Sequence, residues 1–321
     1  MLLTILIGGE LVVRIFYKED MQGRFEYGYN PTAGFVENAD GTVNLIRSGG
    51  RRFWPQTFSK TRPPGTFRVM VIGDSVPRGS SLATAYAAQI GEQLRAMGIK
   101  AESFNLAIGG NGVARSEIIL RQALDYQPSL VILHVDNGDE FEDERELKRA
   151  EAFKGWHPRT WLMKSFFIRR LYEVTTEQIF WKLVPAEVRV LNSVNDTGDK
   201  VLAGENPATQ REWDARVRKY TAESVALARQ RGIPILLLTE ARLHADGYGG
   251  FYLDDRGLDE LVRPMLGDGV YFFSMKEVLQ KTNFAPLFTA DGTHLHPAGH
   301  ALLAAAVVEK LRQAGVVTGG R

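Results

Sequence analysis

The sequence predicts an α/β protein, a three-layer α/β/α sandwich around a parallel sheet of about five strands, and three observations predict it. Short apolar, β-branched runs alternate with amphipathic helical stretches from residue 67 onward. The third of these runs, "PSLVILHVDN", is almost continuously apolar, as parallel strands buried on both faces are. The 321-residue chain, 44% hydrophobic and 24% charged, is long enough to bury a full core and has ordinary globular composition.

Taken in order, residues 1–20, "MLLTILIGGELVVRIFYKED", are apolar but interrupted by Glu10 and Arg14. A spanning helix needs ~20 apolar residues, and a cleaved signal needs a basic start and a small-residue cleavage site. The stretch satisfies neither cleanly. It reads as a membrane anchor or as an amphipathic helix packed on the body, the anchor being preferred. Residues 21–66 are rich in Gly, Asn, Pro and aromatics and read as an extended leader of short strands and turns, closed by "TRPPG".

The main domain spans 67–321. "FRVMVIG" is its first strand, and "TAYAAQIGEQLRAMG" a helix with Tyr86, Ile90, Leu94 and Met97 on one face and Gly98 as its stop. "AESFNLAIGG" is the second strand, "ARSEIILRQALDY" the second helix, and "PSLVILHVDN" the third strand. Residues 139–200 then break the rhythm with an acidic run, "DEFEDEREL", and a basic, aromatic stretch. They read as a helical cap inserted after the third strand, its acidic face solvated and its aromatic stripe packed on the body. A long helix over about 209–231 leads into "IPILLLTEA"; "GVYFFSM" is the fifth strand, and "PAGHALLAAAVVEKLRQAG" an amphipathic closing helix. Right-handed crossovers make such a pattern a sheet of flavodoxin-like character, covered on both faces.

Composition removes several function classes. Lys plus Arg is 39 against 38 for Asp plus Glu, so no global field favours nucleic acid. There is no cysteine, which excludes disulfides, thiolate metal sites and a Cys nucleophile. No phosphate-cradling loop and no dinucleotide fingerprint follows any strand, so no cofactor is expected.

In parallel sheets of this kind ligands bind beyond the carboxyl ends of the strands. Ser75, the Gly109-Gly110 pair, Asn137 and Glu240 all fall just after strands and so share one rim. A serine hydroxyl is a weak nucleophile until a base takes its proton, and the base works best when a third group orients it. Six histidines are available. His134 lies inside an apolar strand and reads as a buried, hydrogen-bonded core residue. His157 and His244 sit in polar, turn-like segments and read as surface. "TADGTHLHPAGH" holds the other three, His294, His296 and His300, just before the last helix. Asp291 precedes His294 by three residues, a spacing that lets the carboxylate take one ring nitrogen while the other faces outward. His296 competes for the role of base, His300 reads as a packing residue of the helix, and Asp74 as a residue shaping the turn before Ser75. A metal held by Asp291 with the three histidines lacks any further supporting cluster, so no metal is expected.

These residues resemble the SGNH hydrolases, the GDSL esterase and lipase family. "GDS" at Gly73-Asp74-Ser75 matches its first motif, "NLAIGG" its second and "DGTHLHPAGH" its last, in the family's order, over about 67–312. The resemblance implies Ser75 as nucleophile, Asp291 and His294 as its triad partners, and the N–H groups of Ser75 and Gly110 in an oxyanion hole. The third motif departs: the family has Gly-x-Asn-Asp or Gly-x-Asn-Glu where this chain has "HVDNGDE". Asn137, the only amide donor there, is taken as the remaining oxyanion residue. "GGRRFWPQTFSKTRPPGTFRVMVIGDS" is similar to a branch of the family that carries an N-terminal membrane segment. The implied activity is hydrolysis of a small-molecule, glycan or lipid ester through an acyl-enzyme, with an O-acetyl ester of a cell-envelope polysaccharide as the leading substrate. Acyl transfer by the same Ser75, a lipid-directed esterase and a non-catalytic scaffold are the alternatives. The implied location is the membrane-associated cell envelope, with the cytoplasm as alternative.

Overall fold

The computed structural model describes residues 2–16, 34–45, 47–48, 51–136 and 210–318, with positions 165, 167, 168 and 171. The cap expected at 139–200 therefore lies almost wholly outside the described residues, together with Asn137 and His157.

The centre is a five-stranded, wholly parallel sheet: β1 (Phe67–Ile72), β2 (Ala101–Asn105), β3 (Leu130–Val135), β4 (Ile235–Thr239) and β5 (Val270–Ser274). Their order is β2-β1-β3-β4-β5, the flavodoxin-like arrangement the sequence predicts. Side chains alternate along each strand, so β1 sends Val69 and Val71 to one face and Met70 and Ile72 to the other. Every residue of β3 and β4 is buried, which explains their unbroken apolar runs.

Two helix pairs cover the faces. α1 (Tyr86–Ala96) and α4 (Pro297–Gln313) pack with Val69, Val71, Ile132, Leu236 and Leu238. α2 (Val113–Ala123) and α3 (Gln210–Gln230) pack against each other on the face of Met70, Ile72, Leu133 and Leu237. α1 buries Tyr86, Ile90 and Leu94, the stripe its periodicity predicts; Met97 ends the helix only partly buried. Each such aliphatic side chain contributes ~1.5–3 kcal/mol when fully buried, and it is this helical stripe that fixes each helix's rotation on the sheet.

The leader holds short strands, as the sequence predicts. Phe35–Glu37, Thr42–Leu45 and Thr57–Ser59 form a three-stranded antiparallel sheet with Thr42–Leu45 in the middle. Phe35, Val43, Leu45, Phe53 and Phe58 are buried in the core on the α2–α3 face. Phe35 and Phe58 each lie 5.3 Å from the Tyr126 ring. Through these aromatics the segment packs onto the body of the domain. A second antiparallel pair, Arg242–Ala245 with Phe251–Asp254, follows β4 and has no counterpart in the sequence reading.

The N-terminal helix, Leu2–Phe16, is 15 residues long, about 22 Å at ~1.5 Å per residue. Among the described residues no helix is long and apolar enough to cross a membrane. Glu10, which interrupts the apolar run, pairs with Arg14 at 2.8 Å and accepts hydrogen bonds from the Ser165 hydroxyl and the Phe167 N–H.

Candidate active site

β1 ends at Ile72 and the chain turns at Gly73. A Cβ there would stand 2.7 Å from the Pro77 ring and 2.8 Å from the His134 Cβ, so glycine is required for the close approach of two neighbouring strand ends. Asp74 then caps the short helix Ser75–Arg78, its Oδ1 accepting from the Val76 N–H at 3.0 Å. Ser75 is the first residue of that helix, so its own N–H has no intrahelical acceptor. The turn is pinned from outside as well. Asn105, fully buried at the end of β2, donates to the carbonyls of Pro77 at 2.9 Å and Arg78 at 3.3 Å. The Trp54 indole N–H donates to the Arg78 carbonyl at 2.9 Å, and the Arg78 guanidinium lies 4.0 Å over the Trp54 ring.

After β2 the chain runs back beneath Ser75. The Ile108 N–H donates to the Gly73 carbonyl at 3.0 Å, and a Cβ on Gly109 would lie 3.7 Å from the Ser75 Cβ. Gly110 adopts φ +65°, a left-handed conformation that favours glycine. Its carbonyl accepts from Arg115 at 2.6 Å, while its N–H donates to nothing among the described residues. The amides of Ser75 and Gly110 are thus both open to a ligand.

The third element is the loop before α4. A bridge between Phe288 and Leu295 closes it, and Asp291 organises its interior. Asp291 Oδ1 accepts from the N–H groups of Thr293 and His294 and from the Thr289 hydroxyl, at 2.8, 2.9 and 2.8 Å. Its other oxygen, Oδ2, accepts from His294 Nδ1 at 2.7 Å. The ring is thereby oriented so that Nε2 faces Ser75, whose Oγ lies 2.8 Å away. The three residues form one relay, with the hydroxyl donating to Nε2 and Nδ1–H donating to the carboxylate. Partial burial would raise the Asp291 carboxyl, but the N–H groups, the ring and the hydroxyl outweigh it and hold the group well below the usual carboxylate range.

The other histidines fall elsewhere. His296 is exposed at the N-cap of α4, where its ring makes no hydrogen bond among the described residues. His300 is buried within α4 and its ring stacks with Tyr86 at 6.1 Å. His244 is exposed and stacks on Tyr252 at 5.4 Å. His134 is buried, with Nδ1 3.1 Å from the Tyr86 hydroxyl.

Beside the turn that carries Ser75 lies a group the sequence reading did not assemble. Asp74, His134, Asp136 and Glu240 are all buried. Burial raises the carboxyls of Asp74 and Glu240, Asp136 raising Asp74 further and Asp74 doing the same to Glu240. Burial depresses His134 to about 4. Glu240 was placed on the rim by its position after β4, but its neighbours become visible only once β1, β3 and β4 are known to lie side by side. Asn105 and Trp54 were likewise missed, since neither belongs to a group that reacts.

No family model and no curated protein matches the chain. Solved structures similar to it include TesA, with 15% identity over 78% of this chain and 99% of that one, at a TM-score of 0.46. An acetyl xylan esterase, AlAXEase, shares 15% identity over 77% of this chain and 99% of its own, TM-score 0.45. A GDSL-like lipase from Bacteroides thetaiotaomicron shares 10% identity over 77% and 88%, TM-score 0.39. Likeness at this level carries nothing about substrate.

Proposed function

We propose that the protein is an SGNH-type serine ester hydrolase working through an acyl-enzyme. The observation that carries this is the unbroken relay Ser75–His294–Asp291, closed at 2.8 and 2.7 Å from segments 219 residues apart in sequence. Ser75 attacks the ester carbonyl as His294 Nε2 takes its proton. The same nitrogen returns the proton to the leaving alcohol, and water then repeats the sequence on the acyl-enzyme. Asp291 holds the imidazole tautomer and stabilises the imidazolium. The open N–H groups of Ser75 and Gly110, with the Asn137 amide as third donor, hold the developing oxyanion. Asn137 lies outside the described residues, and its role rests on its being the only amide donor in "HVDNGDE".

The proposed substrate is a small acyl ester on a glycan, an O-acetyl ester of an envelope polysaccharide in the first instance. The N-terminal helix supports an envelope location through its exposed apolar surface: Leu3, Ile5, Ile7, Leu11, Val12, Ile15 and Phe16 are each more than half exposed. A fluorophosphonate probe tests the central reading. Wild-type protein should be labelled at Ser75 and should turn over p-nitrophenyl acetate, and added acceptor alcohol should leave acyl release to water dominant. An unlabelled wild-type protein would sink the enzyme reading, and product on the acceptor alcohol would make it a transferase.

A further inference from the structure

The ends of β1, β3 and β4, adjacent in the sheet, each deliver one buried side chain with a ligating atom to the same point: Asp74, His134 and Glu240. The three atoms lie within 4.8 Å of one another. Two of them, His134 Nε2 and Glu240 Oε2, have no hydrogen-bond partner among the described residues although both side chains are wholly buried. They stand 3.7 Å apart. That separation decides between two explanations. A proton shared between an imidazole and a carboxylate draws N and O to ~2.7–2.9 Å. Two ligands on a tetrahedral ion with bonds of ~2.0–2.2 Å are held roughly 3.5 Å from each other, close to the spacing seen.

We propose that Asp74, His134 and Glu240 form a buried site for one first-row divalent cation, beside the turn that carries Ser75. The surroundings are those of a ligand set. The Tyr86 hydroxyl lies 3.1 Å from His134 Nδ1; in the tautomer in which Nδ1–H donates to it, the Nε2 lone pair faces Glu240, as a second group commonly orients a metal-bound histidine. Asp74 Oδ1 is taken by the Val76 N–H, but Oδ2 has only a long 3.4 Å contact from the Ser75 hydroxyl. Asp136 brings a further carboxyl group alongside Glu240. Arg242 lies 3.3 Å from Glu240 Oε1, and Arg256 stands near enough to Asp136 to feel its charge. One imidazole with carboxylate oxygens suits Zn2+, Mn2+ or Fe2+ better than Ca2+ or Mg2+, which prefer oxygen alone. The ion touches no substrate. It ties three strand ends together and fixes the cap on the nucleophile's helix, and it stands independently of whether Ser75 hydrolyses esters. It is also distinct from the Asp291 cluster considered from the sequence.

The test uses the full chain. It is unfolded with chelator and refolded with Zn2+, Mn2+ or Co2+, because so buried a site loads only as the chain folds. Elemental analysis after desalting should give about one ion per chain, and Co2+ should give a visible d–d absorption of low-symmetry character. The melting temperature should rise by roughly 5 °C or more over the metal-free protein. Glu240→Gln, which keeps the shape and a hydrogen-bonding end, should lose the bound ion and the shift. If that variant fails to fold, stoichiometry and the Co2+ spectrum of the wild type decide alone. Refolded wild type without bound metal, or metal retained in full by Glu240→Gln, overturns the site.

Discussion

The molecule holds two carboxylate–imidazole groupings beside the same serine, and they behave in opposite ways. At the surface, Asp291 and His294 have side chains 52% and 43% exposed, and donors crowd the carboxylate, so it stays ionised. Beside the turn, Asp74, His134 and Glu240 are shut away from water, and burial drives the acids toward protonation and the histidine toward neutrality. The residue types are the same. What differs is whether fixed N–H groups and solvent are present to meet charge as it appears. A base that must become positively charged during each turnover has to sit in the first kind of place, and a group that only holds geometry can sit in the second.

Mutations can break that contrast, and the largest effect belongs to the surface relay. Ser75→Ala should lower kcat on p-nitrophenyl acetate by ~10⁴–10⁶ with an unchanged circular dichroism spectrum, leaving only what binding and the oxyanion donors supply. Retained turnover would mean that another nucleophile is at work. Asp291→Asn comes next. It preserves shape but no longer fixes the ring tautomer, so kcat should fall by ~10²–10⁴. A loss below tenfold would show that the loop, rather than the carboxylate, orients His294.

Asn137→Ala should lower kcat by ~10–10³ with KM little changed, since an oxyanion donor binds the tetrahedral state more tightly than the bound ester. A silent Asn137→Ala would move the third donor to a neighbour in "HVDNGDE".

Smaller effects probe the buried side. Burial pushes His300 down to about 4, with the charges of His134 and His294 adding to it. Above pH ~6.5 the residue is neutral folded and unfolded alike, and no stability is lost. As pH falls from there toward 4, the unfolded chain takes up the proton and the folded chain does not, so stability declines. Urea unfolding at pH 7.5 and pH 5.0 should therefore show a smaller drop for His300→Phe than for wild type, by on the order of 2 kcal/mol. Equal drops would place the acid sensitivity elsewhere. Last, His296→Ala should change kcat/KM by less than ~3-fold, because its exposed ring lies outside the relay. A loss matching that of Ser75→Ala would make His296 the base.

Much of this was readable from the chain because the signals are local. The 3.6-residue stripe of Tyr86, Ile90 and Leu94 predicts a helix face, and the almost continuously apolar β3 predicts a strand covered on both sides. The Asp291–His294 pair is local too, since a three-residue spacing in one turn suffices to bring Oδ2 to Nδ1. The leader was less legible. Its strands have only two to four residues, too few to show a period, and Phe35, Phe53 and Phe58 are buried against residues far along the chain.

By itself, then, the sequence determined the alternation of strands and helices, the turn that presents Ser75, and the acid–base pair waiting before the last helix. Tertiary structure alone decided that His294 Nε2 meets Ser75 Oγ at 2.8 Å, and that β1, β3 and β4 become neighbours that sink Asp74, His134 and Glu240 into one pocket. The physical reason is range. Periodicity and turn chemistry act over a few residues and can be read along the chain, whereas strand order is set by which apolar faces can be covered together, and burial, with the charge behaviour it imposes, exists only after that choice is made.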